Sequence, residues 1–319
     1  MSVTLVLFII GFVLLIGGAQ MLIMGASSLG SKFGVSQMIM GLTVVALGTS
    51  LPELVVNIFA SAKGNSALAI GNVLGSNITN TLLVVGVSAL IFPVFLSKNT
   101  LKRDLPFSLF ILVILFILAN DRFFGRPNMI NRGDGVILLL FFLVFGYFLF
   151  KRSRNEESES LNFQIKEYGL GIDIIFIFLG GLGLYFGGEW IANGAVTIAD
   201  LIGITSTAMG LTIISGATSL PELITSILAS RKKNTDMALG NAIGSNIINV
   251  LLVLGITAVI KPIPFQDNLN VEIGLVILAG IIVWISAKTG KIKNQLGRWQ
   301  GAVLVLLYVA FIYFSTTYQ

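Results

Sequence analysis

Two glutamates, Glu53 and Glu222, stand in otherwise apolar runs, each beside hydroxyls and a proline. The first run is Gly41-Leu-Thr-Val-Val-Ala-Leu-Gly-Thr-Ser-Leu-Pro-Glu53. It recurs 169 residues later as Gly210-Leu-Thr-Ile-Ile-Ser-Gly-Ala-Thr-Ser-Leu-Pro-Glu222, and the match continues without a gap through Pro93 and Pro262. A charged side chain at mid-membrane costs roughly 2.5–3.5 kcal/mol on insertion scales and usually marks an ion or proton path. On a helix Thr49 lies over Glu53 and Ser50 is three residues away, so their oxygens converge. Pro52 lacks an N–H and clashes with the carbonyl four residues back, which predicts a helix break near Gly48 and a backbone carbonyl available there. Thr218, Ser219, Pro221 and Glu222 repeat the device. Ser215-Gly216-Ala217 stands where the first copy has Ala46-Leu47-Gly48, so the two broken turns need not be equivalent. A proline-kinked helix with hydroxyls bonded to its own carbonyls would account for the Ser and Thr residues. It would not account for the glutamates.

The run after each glutamate supplies amides. Asn72, Ser76 and Asn80 follow i, i+4, i+8 and form one polar stripe, as do Asn241, Ser245 and Asn249. Gly71 with Gly75, and Gly240 with Gly244, let a neighbouring helix approach closely. Asn72, Asn77, Asn241 and Asn246 read equally well as interhelical hydrogen-bond partners or as ligands; Ser76, Asn80, Ser245 and Asn249 lie deeper along the stripe. If the copies meet at the midplane, two carboxylates balance one Ca²⁺, and hydroxyl, amide and backbone oxygens complete about six to eight ligands. Without a cation the two carboxylates repel each other and should take up protons or sodium ions. Such a site suits obligatory exchange between ions that compete for the same oxygens.

The elements that must position these residues are membrane helices. The chain has 319 residues, 55% hydrophobic and 11% charged, with mean hydropathy +0.94, and its apolar runs are long enough to cross a bilayer of roughly 30 Å. Ten spans are predicted, near 3–28, 36–61, 67–92, 104–120, 134–150, 169–197, 205–229, 236–260, 270–287 and 299–316. Residues 1–150 form a first five-helix repeat, 151–168 a linker, and 169–319 a second repeat. A unit with an odd number of spans enters the membrane from opposite sides in its two occurrences, so the repeats are inverted. The first run, 3–29, lacks the positive start of a signal peptide and is kept as a mature helix. Of the 20 Lys and Arg, 15 fall in the loops after spans 1, 3, 5, 7 and 9, which puts both termini outside and the linker in the cytoplasm of a cell-membrane protein. The linker carries Lys151, Arg152 and Arg154, then Glu156, Glu157 and Glu159, and is too short for a folded sensor domain. Neither Cys nor His occurs, so any bound metal is held by oxygen, which suits Na⁺, Mg²⁺ and Ca²⁺. The net charge of +5 comes from membrane-flanking residues and implies no nucleic-acid partner. Glu189, opposite Gln20 in the first copy, reads as a packing or interfacial residue, and Asp134 as a helix cap.

Gly48-Thr-Ser-Leu-Pro-Glu53, Thr218-Ser-Leu-Pro-Glu222 and the paired Gly-Asn-x-x-Gly-Ser-Asn segments resemble the two alpha-repeats of the sodium/calcium exchanger family, in its compact prokaryotic form, within the calcium/cation antiporter superfamily. The resemblance covers essentially the whole chain. It implies one calcium site flanked by sodium sites, opened alternately to the two sides as the first and sixth spans slide across the other eight. By position, Glu53 and Glu222 would be shared calcium and sodium ligands, with Thr49 and Thr218 lending oxygens. Ser50, Ser76, Ser219 and Ser245 would line the sodium sites, Ser215 would contribute its carbonyl, and Asn80 and Asn249 would be the central polar pair. Some prokaryotic members have Asp where this chain has Asn249, which leaves two central carboxylates here and weakens any case for potassium co-transport.

The sequence therefore reads as an all-α, ten-span inverted-repeat antiporter exchanging Ca²⁺ for Na⁺, with a Ca²⁺/H⁺ or other divalent cation exchanger as the alternative. Its partners are calcium ions, sodium ions and the lipid bilayer; neither a prosthetic group nor an obligatory protein partner is implied. A cation channel fits the inverted odd-span repeat poorly. The chain does not read as an enzyme, because a membrane-embedded hydrolase would lack His, Cys and a Gly-x-Ser-x-Gly elbow.

Overall fold

Backbone N–H and C=O groups in lipid have to be satisfied within the segment, so long apolar runs become helices, and Gly, Pro, Asn and charged clusters end them. A computed structural model describes residues 2–62, 66–125, 127–155, 166–202, 215–267, 269–289 and 292–317. Residues 210–214 of the second copy's run, and Glu156, Glu157 and Glu159 of the linker, lie outside the described residues.

Helix α1 is Ser2–Lys32. A bent pair follows, α2 (Gln37–Thr49) and α3 (Leu51–Ala62), meeting at 42°. In α4, the α-helical pieces Ser66–Ile78 and Val85–Ile91 flank a π-helical stretch, Thr79–Val84. Strand β1 (Val94–Phe95) leads to α5 (Leu105–Ala119), and β2 (Met129–Ile130) to α6 (Arg132–Asn155). In the second half α7 is Leu170–Ile202, α8 the single turn Ser215–Thr218, and α9 Leu220–Arg231. Helix α10 joins Thr235–Ile248 and Gly255–Ile260 through the π-helical stretch Asn249–Leu254. Strand β3 (Ile263–Pro264), α11 (Leu269–Thr289), β4 (Gln295–Leu296) and α12 (Arg298–Thr317) complete the chain. Seven helices among the described residues are long and apolar enough to cross a membrane, and the bent pair α2–α3 makes an eighth. Helix α5, at 15 residues, and the α8–α9 segment are the expected spans that this length leaves out.

The inner helices are α4 and α10, with 78% and 72% of their membrane-length windows buried against 28% for α6, α7 and α12. Large apolar side chains of the outer helices, such as Val13, Leu143 and Leu306, point away from the protein, as a lipid-facing surface requires. Helices α1 and α7 pack backbone to backbone. A Cβ added at Gly11 would lie 3.0 Å from Gly187 O, one at Gly18 2.8 Å from Gly180 O, and one at Gly25 2.7 Å from Asp173 O. The contacts run in opposite chain order, so the two helices are antiparallel, and glycine every seventh residue keeps one smooth face. One end is tied by Lys32, which bonds the Asp173 carboxylate and the Tyr168 carbonyl. Two short antiparallel clasps join the halves: β1 pairs with β4 (Val94 opposite Leu296) and β2 with β3 (Ile130 opposite Ile263).

Asp134 is a partner in a cap and not the cap itself. Asn131 Oδ1 accepts from the Gly133 and Asp134 N–H groups, while Asp134 Oδ2 accepts the Asn131 N–H at 2.7 Å, a reciprocal box. Glu189 is exposed on α7, and the adjacent Gly188 faces both site prolines: an added Cβ there would meet Pro52 Cγ at 3.2 Å and Pro221 Cγ at 3.4 Å.

Candidate ion-binding site

Both helix breaks fall at the serine before Leu-Pro. Ser50 has φ −85°, ψ 9° and Ser219 has φ −83°, ψ 2°. The first break thus lies two residues past the expected Gly48. The two breaks match in backbone conformation despite the shifted glycine, because Pro sets the dihedrals of the new first turn whatever precedes it. The shift alters surroundings instead: an added Cβ at Gly48 would be 3.0 Å from Leu22, whereas at Gly216 the nearest atom is the Tyr308 hydroxyl at 3.8 Å.

The breaks aim each serine at the other copy's carboxylate. Ser50 Oγ donates to Glu222 Oε1 at 3.0 Å, and Ser219 Oγ donates to Glu53 Oε1 at 3.4 Å. Ser76 Oγ also donates to Glu53 Oε1, at 3.4 Å. The threonines do not bond the glutamates of their own turn as the i, i+4 spacing suggests, because the break intervenes. Thr49 Oγ1 donates to Asn241 Oδ1 at 3.0 Å and to Ala46 O at 3.2 Å, and lies 3.4 Å from Ser245 Oγ. Thr218 Oγ1 donates to Asn72 Oδ1 at 3.1 Å and to Ser215 O at 3.3 Å. The Ser215 carbonyl also accepts the Ser219 N–H at 3.0 Å, so it is engaged within its own turn.

Asn72 and Asn241 therefore belong to a layer behind the carboxylates, and that layer contains two residues that sequence reasoning missed. Asn72 Nδ2 donates to Asn57 Oδ1 (2.9 Å), and Asn57 Nδ2 to Ala69 O (3.0 Å). In the other half Asn241 Nδ2 donates to Ser226 Oγ (3.0 Å), and Ser226 Oγ to Ala238 O (3.3 Å). Asn57 and Ser226 are matching positions of the repeat, each one helical turn past its glutamate. That spacing was the available signal.

Glu53, Glu222, Asn80 and Asn249 are wholly buried. Among the described residues, Glu53 Oε2, Glu222 Oε2, both amide atoms of Asn80 and Asn249 Oδ1 have no hydrogen-bond partner. Buried polar atoms are rarely left so, since each costs about 1–3 kcal/mol or more when charged. Four of these five are oxygens, the donor set a hard cation takes. The π-helical stretches beginning at Thr79 and Asn249 carry the two asparagines at or beside their first residue, a placement often found at functional sites. Among the described residues, no group of three or more Asp, Glu, His or Cys could hold a metal, so a cation held between Glu53 and Glu222 would need neutral oxygens as well.

A family model described as "Sodium/calcium exchanger protein" matches residues 3–151 and 172–317. The putative antiporter CaxA of Alkalimonas amylolytica is 34% identical, with 98% of each chain covered. The sodium/calcium exchanger MaX1 of Methanosarcina acetivorans is 32% identical, again over 98% of each chain. A solved structure of the sodium-calcium exchanger NCX_Mj, soaked with Na⁺ and Sr²⁺, superposes with a TM-score of 0.81 at 29% identity, covering 98% of this chain and 99% of that one.

Proposed function

The chain belongs to the sodium/calcium exchanger family, and from that premise we propose that it is a secondary antiporter moving Ca²⁺ outward against inward Na⁺ by alternating access. The ions bind at Glu53 and Glu222. Asn80, Asn249, Ser50, Ser76, Ser219 and Ser245 supply oxygens or orient them, and Thr49, Thr218 and Ser215 shape the two broken turns. The observation that carries this reading is the crossed arrangement. Each carboxylate is held on one oxygen by a serine of the other half, and its second oxygen, like the Asn80 and Asn249 side-chain oxygens, is buried without a hydrogen-bond partner. A cation bound there draws both halves together, so the site is complete only when they meet.

The architecture fitting this function is ten spans in two inverted five-helix repeats, counting α2–α3 and α8–α9 as one broken span each. Two relations support it: each strand clasp joins one strand from either half, and the Gly11–Gly187 contact maps onto the Gly18–Gly180 contact when positions are exchanged at the repeat offset. Both termini then lie outside and the linker lies in the cytoplasm. The glycine-smooth α1–α7 pair is the sliding unit.

The experiment is ⁴⁵Ca²⁺ uptake into Na⁺-loaded proteoliposomes. An outward Na⁺ gradient should drive uptake; uptake that ignores Na⁺ and follows a pH gradient would move the assignment to a Ca²⁺/H⁺ exchanger.

A further inference from the structure

The two halves carry the same amides at the repeat offset: Asn77 and Asn80 in α4, Asn246 and Asn249 in α10. Half of a symmetric network among them is present. Asn249 Nδ2 donates to Asn77 Oδ1 at 3.2 Å, and Asn77 Nδ2 donates to Asn246 O at 3.4 Å. The mirror bond, from Asn80 Nδ2 to Asn246 Oδ1, is absent, and both of its atoms are buried without a partner. One side chain accounts for the difference. Asn246 Nδ2 donates instead to Thr81 Oγ1, at 2.8 Å. The position matching Thr81 in the second half is Val250, which has no hydroxyl to offer Asn77. Thr81 and Asn246 also border a small cavity with Ser108 and Gly280.

Resting on the two-carboxylate site proposed above, we infer that Thr81 is a specificity-determining positioning residue. By drawing Asn246 aside it leaves the Asn80 amide unanchored, while Asn77 anchors Asn249. Asn249 then presents a fixed carbonyl oxygen to a bound cation, and Asn80 presents an amide that must be oriented as the ion binds. Orienting a free side chain opposes binding, and pre-organising it strengthens binding. The interaction of an ion with an amide dipole scales with the ion's charge, and Ca²⁺ demands more oxygens than a vague amide guarantees. Thr81 therefore holds Ca²⁺ affinity down more than Na⁺ affinity, which favours Ca²⁺ release in an exchange cycle.

The test uses the full chain in proteoliposomes, with KM for Ca²⁺ and half-saturating Na⁺ measured in parallel. Thr81→Val should let Asn246 turn back and anchor Asn80, lowering the Ca²⁺ KM about two- to tenfold, the range one ordinary hydrogen bond gives, with a smaller change for Na⁺. Thr81→Ser keeps the hydroxyl and should match the parent protein. Val250→Thr places the mirror hydroxyl opposite Asn77 and should raise the Ca²⁺ KM. Equal Ca²⁺ KM in Thr81→Val and Thr81→Ser, or equal proportional shifts for Ca²⁺ and Na⁺, overturns the inference. Ca²⁺-dependent thermal stabilisation in detergent gives the same comparison for any variant that reconstitutes poorly. Glu53→Gln, assayed alongside, separates the two levels: normal transport there would refute the site itself, whereas lost transport with silent Thr81 variants would refute only the role of Thr81.

Discussion

Ser50 and Ser219 occupy matching positions but hold their carboxylates unequally, so removing them should do unequal damage. Ser50 sits 3.0 Å from Glu222 Oε1, within hydrogen-bond range of the carboxylate. Ser219 is 3.4 Å from Glu53 Oε1, which Ser76 reaches at the same distance. A good hydrogen bond to a charged group contributes about 1.5–3 kcal/mol net, and a weaker one about 0.5–1.5. At about 1.4 kcal/mol per tenfold, Ser50→Ala should weaken apparent cation affinity roughly ten- to hundredfold, and Ser219→Ala about two- to tenfold, because Ser76 continues to hold Glu53. The assay is initial ⁴⁵Ca²⁺ uptake against Ca²⁺ concentration in Na⁺-loaded proteoliposomes. Protein amount and orientation are fixed by quantitative labelling. Since both carboxylates would hold the same cation, the losses in the double variant should depart from additivity. Should Ser219→Ala prove as harmful as Ser50→Ala, or harsher, the unequal-anchor reasoning fails.

Glu53→Gln and Glu222→Gln should each abolish Ca²⁺ transport with the protein still inserted and monodisperse; transport at the parent rate in either would rule out the central site. Gly18→Ala adds a Cβ 2.8 Å from Gly180 O and 2.8 Å from Leu184 N, an overpacking of about 1–3 kcal/mol. It should lower maximal turnover and leave Ca²⁺ KM within about twofold, and an unchanged turnover number would dissociate the α1–α7 face from transport. Asn249→Asp would add a third buried carboxylate to the proposed site and should change ion preference or the pH dependence of uptake; superimposable Na⁺/Ca²⁺ competition curves at several pH values would place Asn249 outside the ion path.

Most helix positions among the described residues, and the two glutamates that prove wholly buried, were readable from sequence because hydropathy and repetition act locally. The start of the last span, 299 against Arg298, shows how closely a charged residue and the Gly before it fix a helix end in lipid. Three things were not readable. The breaks came at Ser50 and Ser219 because Pro governs the turn it begins, not the glycine upstream of it. The hydroxyl-to-carboxylate bonds cross between halves, and no spacing within one run can reveal a contact made with another. The π-helical stretches at Thr79–Val84 and Asn249–Leu254 insert a residue into an apparently regular helix, and the i, i+4, i+8 stripe gave no sign of them. The second layer at Asn57 and Ser226 was within reach, since both are polar residues that follow their glutamates by four residues, one helical turn.

The clasps bear on what the covalent chain is for. Strand β1 finds its partner near the far end of the sequence, and β2 and β3 bridge the same divide. A lone half would carry two unpaired strand edges, the kind of surface that recruits another chain, together with one bare glycine groove. It would be a subunit in search of a second subunit. The linker then acts as a tether, raising the effective concentration of each half around the other. Severed in that linker, the two fragments should co-purify as a functional pair, whereas either fragment made alone should aggregate.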